Sequence, residues 1–155
     1  MTYSYRATME GWMTIKPEDA HVLVVEDNVY NYQLLSRLLA FLGIQDTKWK
    51  RSGKEVLEFA DSLPQVDLIL LDIHLPYEDG YSALEKLRAH PRFAKTVIVA
   101  VTAEATEDNM NRARAAGFDG FIGKPIDPDN FPHQITALLR GEGVWDVGTM
   151  HLSNF

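Results

Sequence analysis

Five side chains of complementary chemistry fall at the carboxyl ends of short apolar runs. Glu26 and Asp27 close HVLVVE (21–26), Asp72 follows VDLILL (66–71), Thr102 follows TVIVAV (96–101), and Lys124 follows FDGFI (118–122). Three carboxylates brought together repel one another and raise a pKa unless a cation joins them. An all-oxygen set of this kind suits magnesium, which keeps several waters and completes its shell with a phosphoryl oxygen. A lysine across the cleft then supplies a compact positive charge, and a threonine hydroxyl supplies a hydrogen bond to a second phosphoryl oxygen. Asp72 is thereby placed as the nucleophile that forms an aspartyl phosphate by in-line transfer. Taken singly, each residue has a plainer reading: Asp27 as a helix cap, Thr102 as a good strand residue, Lys124 as an exposed loop lysine. Four strand ends carrying matched groups are not explained by capping alone.

The segments that must position these groups alternate between brief β-branched or aromatic runs and helix-length amphipathic stretches. Helices are expected over 28–42, 54–63, 81–90, 106–116 and about 130–140, with Gly43, Gly117 and Gly141 closing three of them and Pro91 following another. Residues 44–50 are polar and only weakly alternating, which suits a strand at a sheet edge. Five βα units imply an α/β sheet with helices on both faces, in which functional groups gather at the carboxyl ends of the strands. The segment LILLDIHLP (68–76) illustrates the logic. Its apolar half belongs in the sheet, and its aspartate belongs in a polar cleft at the strand tip.

Composition narrows the classes. The chain has 155 residues, 46% hydrophobic and 24% charged, which suffices for one substantial core. No apolar run approaches the roughly 20 residues of a membrane span, and no secretory leader opens the chain, so a cytoplasmic location and no membrane partner are expected. Cysteine is absent, so disulfides and thiolate metal sites are excluded. A net charge of −7 disfavours nucleic acid as a partner. The one basic cluster, KWKRSGK (48–54), reads as a solvated edge strand.

VLVVEDN, LILLDIHLPYEDG, VIVAVTA and FIGKPID, in this order and spacing, resemble the receiver domain of bacterial response regulators over roughly residues 21–140. The resemblance implies a flavodoxin-like (βα)5 doubly wound parallel sheet of strand order 2-1-3-4-5. It implies that Asp72 accepts phosphate from a phosphohistidine of a sensor kinase or histidine phosphotransfer protein, and that the domain is no enzyme beyond assisting its own phosphorylation and dephosphorylation. Asp27, Asp72 and the backbone carbonyl of His74 would bind Mg2+, with Glu26 helping through water. Lys124 would pair with the phosphoryl group, Thr102 would be the switch hydroxyl and Phe121 the switch aromatic. Pro76 and Gly80 match the family's loop after the phosphoacceptor, Ala103 its small residue beside the phosphoryl group, and Lys124-Pro125 its cis peptide. Glu26 stands where aspartate is commoner. Phe121 equally suits a plain core aromatic.

On the first helix, Tyr32, Leu35, Leu39 and Leu42 form a core-facing stripe, with Leu34, Leu38 and Phe41 beside it. In the resemblance, Asn31, Leu34 and Leu38 match the flank that docks the phosphodonor, with extra core as the other reading. Residues 1–20 form an extension holding Tyr3, Tyr5, Met9, Trp12 and Met13, which suits a packed strap, a disordered tail or an upstream start. Residues 141–155 form a tail whose Trp145, Met150, Leu152 and Phe155 suit docking on the body or on a second copy in a homodimer, and equally suit disorder. The expectation is a single-domain response regulator that signals through a downstream protein target. A phosphorelay shuttle or a receiver cut from a hybrid kinase is the alternative. A dehalogenase-like phosphohydrolase fits less well, because His74 stands where its second acid is needed. A flavodoxin-like cofactor binder is disfavoured, because acidic EDN (26–28) would repel the phosphate.

Overall fold

The computed structural model describes residues 14–148, together with the backbone of a short antiparallel hairpin pairing residues 7–8 with 11–12. Tyr3, Tyr5, Met9, Met13, Met150, Leu152 and Phe155 lie outside the described residues, as does the side chain of Trp12. The elements run β1 (His21–Val25), α1 (Val29–Phe41), β2 (Asp46–Lys50), α2 (Val56–Asp61), β3 (Leu68–Asp72), α3 (Gly80–Ala89), β4 (Val97–Thr102), α4 (Glu107–Ala116), β5 (Gly120–Gly123), α5 (Phe131–Leu139) and β6 (Val144–Asp146). The six strands are parallel in the order β2-β1-β3-β4-β5-β6. This is the expected doubly wound order, extended by a sixth strand within the residues expected as a C-terminal tail.

Period-two alternation sorts the sheet into two layers. Val22 and Val24, Leu68 and Leu70, and Val97, Val99 and Val101 point toward α1 and α5, where Leu35, Leu39, Phe131 and Ile135 close the core. Leu23 and Val25, Ile69 and Leu71, and Ile98 and Ala100 point toward α2, α3 and α4, meeting Val56, Leu84, Leu87 and Ala113. Strands buried on both faces explain the unbroken apolar runs. Each Val, Leu, Ile or Phe among them contributes about 1.5–3 kcal/mol of transfer free energy. Ile15 joins the first layer, and its amide donates to the carbonyl of Leu139 at 2.9 Å. The edge strand β2 is only partly buried, as its polar sequence requires.

Caps set the helix starts. The side chains of Asn28, Asp79 and Thr106 accept amide hydrogen bonds from the first turns of α1, α3 and α4. The end of the sheet away from the cleft is closed by two reciprocal clasps. Asp67 donates its amide to the His21 carbonyl at 2.8 Å, and its carboxylate accepts the His21 amide at 2.8 Å. Asp119 does the same with Ile98, at 2.8 and 3.0 Å. Arg88 reinforces the second clasp by donating to the carbonyls of Thr96 (2.6 Å) and Gly117 (3.0 Å) and to the Asp119 carboxylate (2.7 Å). Arg88→Ala is expected to lower stability by about 2–3 kcal/mol, because several acceptors lose a charged donor at once. Urea denaturation measures this, and a loss below about 0.5 kcal/mol would show the network to be solvent-replaceable.

Candidate functional site

The carboxyl ends of β1, β3, β4 and β5 converge as the sequence requires. The Lys124 ammonium lies 2.6 Å from Oε1 of Glu26 and 3.0 Å from Oδ2 of Asp72. Its side chain is 11% exposed, which removes the reading as a loop lysine. Carboxylate oxygens of Glu26, Asp27 and Asp72 lie within 4.8 Å of one another. Capping of α1 falls to Asn28, so the exposed Asp27 is left at the cleft mouth rather than in a cap. Glu26 is 1% and Asp72 6% exposed.

Both oxygens of Glu26 are engaged, one by Lys124 and the other by the Asn28 amide at 3.0 Å. Asp72 accepts the His74 amide on Oδ1 at 3.0 Å and Lys124 on Oδ2. Burial pushes the Glu26 carboxyl above its ordinary value; hydrogen bonds from Lys124 and the Asn28 amide offset this in part, and the charge of Asp72 adds to it. Burial works against the Lys124 ammonium, yet its hydrogen bond to Glu26 and the charges of Asp72 and Glu26 outweigh that and hold its pKa above the ordinary lysine value. Thr102, 1% exposed, accepts the Glu104 amide on its hydroxyl at 3.2 Å. The Lys124 amide donates to the Thr102 carbonyl at 2.8 Å, tying the tips of β4 and β5 together. The Lys124-Pro125 peptide is cis.

Three further contacts were not legible as sequence. Trp49 donates its indole N–H to the Glu26 carbonyl at 2.7 Å and stacks on Tyr32 with centroids 4.1 Å apart. His74 pairs through Nε2 with Glu104 at 2.9 Å, so two exposed side chains bridge the loops after β3 and β4. The third is the packing of Trp145 against the layer that contains Phe121. Phe121 itself is fully buried, so its ring occupies the core position that the sequence also allowed. On α1, Leu35 and Leu39 are buried; Leu34 and Leu38 are half-buried against the same layer, Asn31 is half-buried, and Phe41 is 84% exposed. The second stripe thus divides, and the docking candidates share their surface with the core.

The donor set fits a hard divalent cation: three carboxylates converge with one ammonium that pairs with two of them, and among the described residues the converging ligand atoms are carboxylate oxygens.

The sequence model of the response regulator receiver domain matches residues 22–136. The chain belongs to this family of two-component signalling domains. It is 32% identical over 123 residues to the signal transduction histidine-protein kinase BarA of Escherichia coli, covering 79% of this chain and 13% of that kinase. It is 29% identical over 120 residues to the two-component response regulator ORR5 of Oryza sativa, covering 77% of this chain and 89% of that protein. Among solved structures, the receiver domain of the sensor histidine kinase PA1611 from Pseudomonas aeruginosa, with a magnesium ion in its active site cleft, superposes with a TM-score of 0.69 at 28% identity, covering 79% of this chain and 98% of that one. Vibrio cholerae CheY4 superposes with a TM-score of 0.67 at 25% identity, covering 75% and 95%. The chain therefore spans a small part of the kinase and most of the rice regulator. Among the described residues no helix is long and apolar enough to cross a membrane.

Proposed function

We propose that the chain is a cytoplasmic phosphoacceptor module that takes a phosphoryl group from a phosphohistidine onto Asp72 and signals through a protein partner. The observation that carries this reading is the Lys124 ammonium bridging Asp72 and Glu26 in a cleft rimmed by Asp27. A carboxylate oxygen of Asp72 attacks phosphorus, the P–N bond of the donor breaks, and its electron pair stays on the donor imidazole, which then takes a proton. Lys124 leaves its carboxylate contact to balance charge on the phosphoryl oxygens, and the Thr102 hydroxyl donates to another of them. Asp27, Asp72 and the His74 carbonyl would hold Mg2+, with Glu26 acting through water because its own oxygens are engaged. The ion supplies positive charge that offsets two carboxylates and the incoming phosphoryl group. Asn31, Leu34 and Leu38 would meet the kinase or phosphotransfer protein. No second acid two residues after Asp72 supports a hydrolase, since that place is His74.

Incubation with acetyl phosphate and magnesium should add one phosphoryl mass to the wild type, and none after chelation or in Asp72→Asn. Persistent labelling of Asp72→Asn would sink the assignment. Asp27→Ala should weaken magnesium more than Glu26→Ala does, and equal losses would contradict the ranking. The coverage of ORR5 supports a single-domain regulator, whereas the match to a small part of BarA favours a receiver within a hybrid kinase as the second reading. The genes beside this one discriminate the two.

A further inference from the structure

The C-terminal strand β6 covers the edge of β5 that a five-stranded sheet would leave free. Residues 144–146 pair in parallel with residues 120–122, so that Trp145 stands beside Phe121. Neighbours in register share a face of the sheet, and Trp145 packs on the same layer as Phe121, while Val144 packs on the opposite one. One face of β6 is fastened to α4, where Arg114 lies over the Trp145 ring at 4.1 Å. The other is fastened to α5, where the amide of Gln134, 8% exposed, donates to the Asp146 carboxylate at 2.8 Å. Beyond it, Val147 and Ala105 pack against this same layer, on either side of Gly123. The approach is so close that a Cβ on Gly123 would lie 2.6 Å from the Ala105 Cβ and 2.7 Å from the Val147 carbonyl oxygen.

Ala105 belongs to the loop that leaves Thr102, and Gly123 directly precedes Lys124. The C-terminal strand thus rests on the two segments that present Thr102 and Lys124 to the cleft. We infer that residues 144–147 are an intramolecular ligand of the α4–β5–α5 face whose docking is positively coupled to occupancy of the cleft. A group bound at Asp72 tightens the segments around Thr102 and Lys124, and these same segments form the seat of the strand. Linkage requires the reverse effect, so a docked strand strengthens binding in the cleft. With only three half-buried residues, β6 is the strand most easily released, which makes it the exchangeable part of this face.

The inference rests on Asp72 as phosphoacceptor, and the test separates the two. Amide exchange on the full chain is compared with and without beryllofluoride plus magnesium, and beryllofluoride affinity is measured for wild type, Trp145→Ala and Arg114→Ala. The mimic is expected to slow exchange over 144–147 in the wild type. Trp145→Ala is expected to speed exchange over 102–105 and 120–123 and to weaken the mimic about fivefold or more, with Arg114→Ala changing both in the same direction. Unchanged wild-type exchange over 144–147, or equal affinity in a folded Trp145→Ala, overturns the coupling. Acetyl phosphate labelling of the same wild-type sample decides the underlying reading: labelling without coupling removes only this inference, and no labelling removes the assignment of Asp72.

Discussion

Lys124→Ala is expected to lose about 3–5 kcal/mol of stability at neutral pH in the absence of divalent cation, because it strands a buried carboxylate without its partner. Glu26 is almost fully enclosed, and its pKa is already raised by burial despite the help of Lys124. Removing the ammonium raises it further. A carboxyl whose folded pKa exceeds its unfolded value contributes stability below the unfolded value, and that contribution is lost as pH rises through the folded value. The loss in Lys124→Ala is therefore expected to be smallest below the ordinary carboxyl value of 4.5 and to grow as pH rises above it. Urea denaturation at about pH 5 and about pH 8 measures the difference. Adding Glu26→Gln should restore much of the stability at the higher pH, and magnesium should restore part of it in the single variant. Equal losses at both pH values would show that Glu26 is not the stranded group.

The second large effect comes from Gly53. A Cβ there would lie 1.7 Å from the Glu78 carbonyl oxygen and 2.7 Å from its carbon, so the loop after β2 and the loop after β3 meet with no space between them. The Gly53 amide also donates to the Pro76 carbonyl at 3.1 Å, and Tyr77 holds a φ of +75° in the same turn. Gly53→Ala must push the loop after β3 away, at a cost of about 3 kcal/mol or more. The displaced loop carries His74, so magnesium affinity should fall about tenfold, in line with other disturbances behind a metal ligand. Trp49, hydrogen-bonded to the Glu26 carbonyl, is a fluorescent reporter for that titration. An unchanged melting temperature would mean that the two loops separate freely.

Much of the site was legible because a parallel sheet converts strand ends into a common surface. Glu26 and Lys124 are 98 residues apart, yet each simply ends a strand. Side chains that depend on neighbouring strands were not legible. Trp49 looked like part of a solvated edge, and only the β1–β2 pairing puts its indole over the Glu26 carbonyl. The strand expected over 118–122 shifts to Gly120–Gly123 because Asp119 is taken by its clasp with Ile98. The helix expected over 54–63 contracts to Val56–Asp61, since Glu55 takes a left-handed conformation that starts it late. For β6, three residues after GEG carry no periodicity, and only the open edge of β5 makes them a strand. The half-burial of Leu34 and Leu38 depends on how closely α5 packs beside α1, which no single-helix pattern encodes.

The two clasps by Asp67 and Asp119 give the molecule a direction. Each pins the amino end of one strand to its neighbour through both an amide and a carboxylate, while the carboxyl ends add the ion pairs of Lys124 with Glu26 and Asp72 to their backbone pairing. The sheet behaves like a fan riveted at its handle. With β1 pinned to β3 and β4 to β5 at the far end, a change of charge among Glu26, Asp72 and Lys124 is not expected to slide either pair out of register. The expected response lies at the tips instead, in the loops after β3 and β4 and the strand beside β5, so that a local electrostatic event would be read at a defined place.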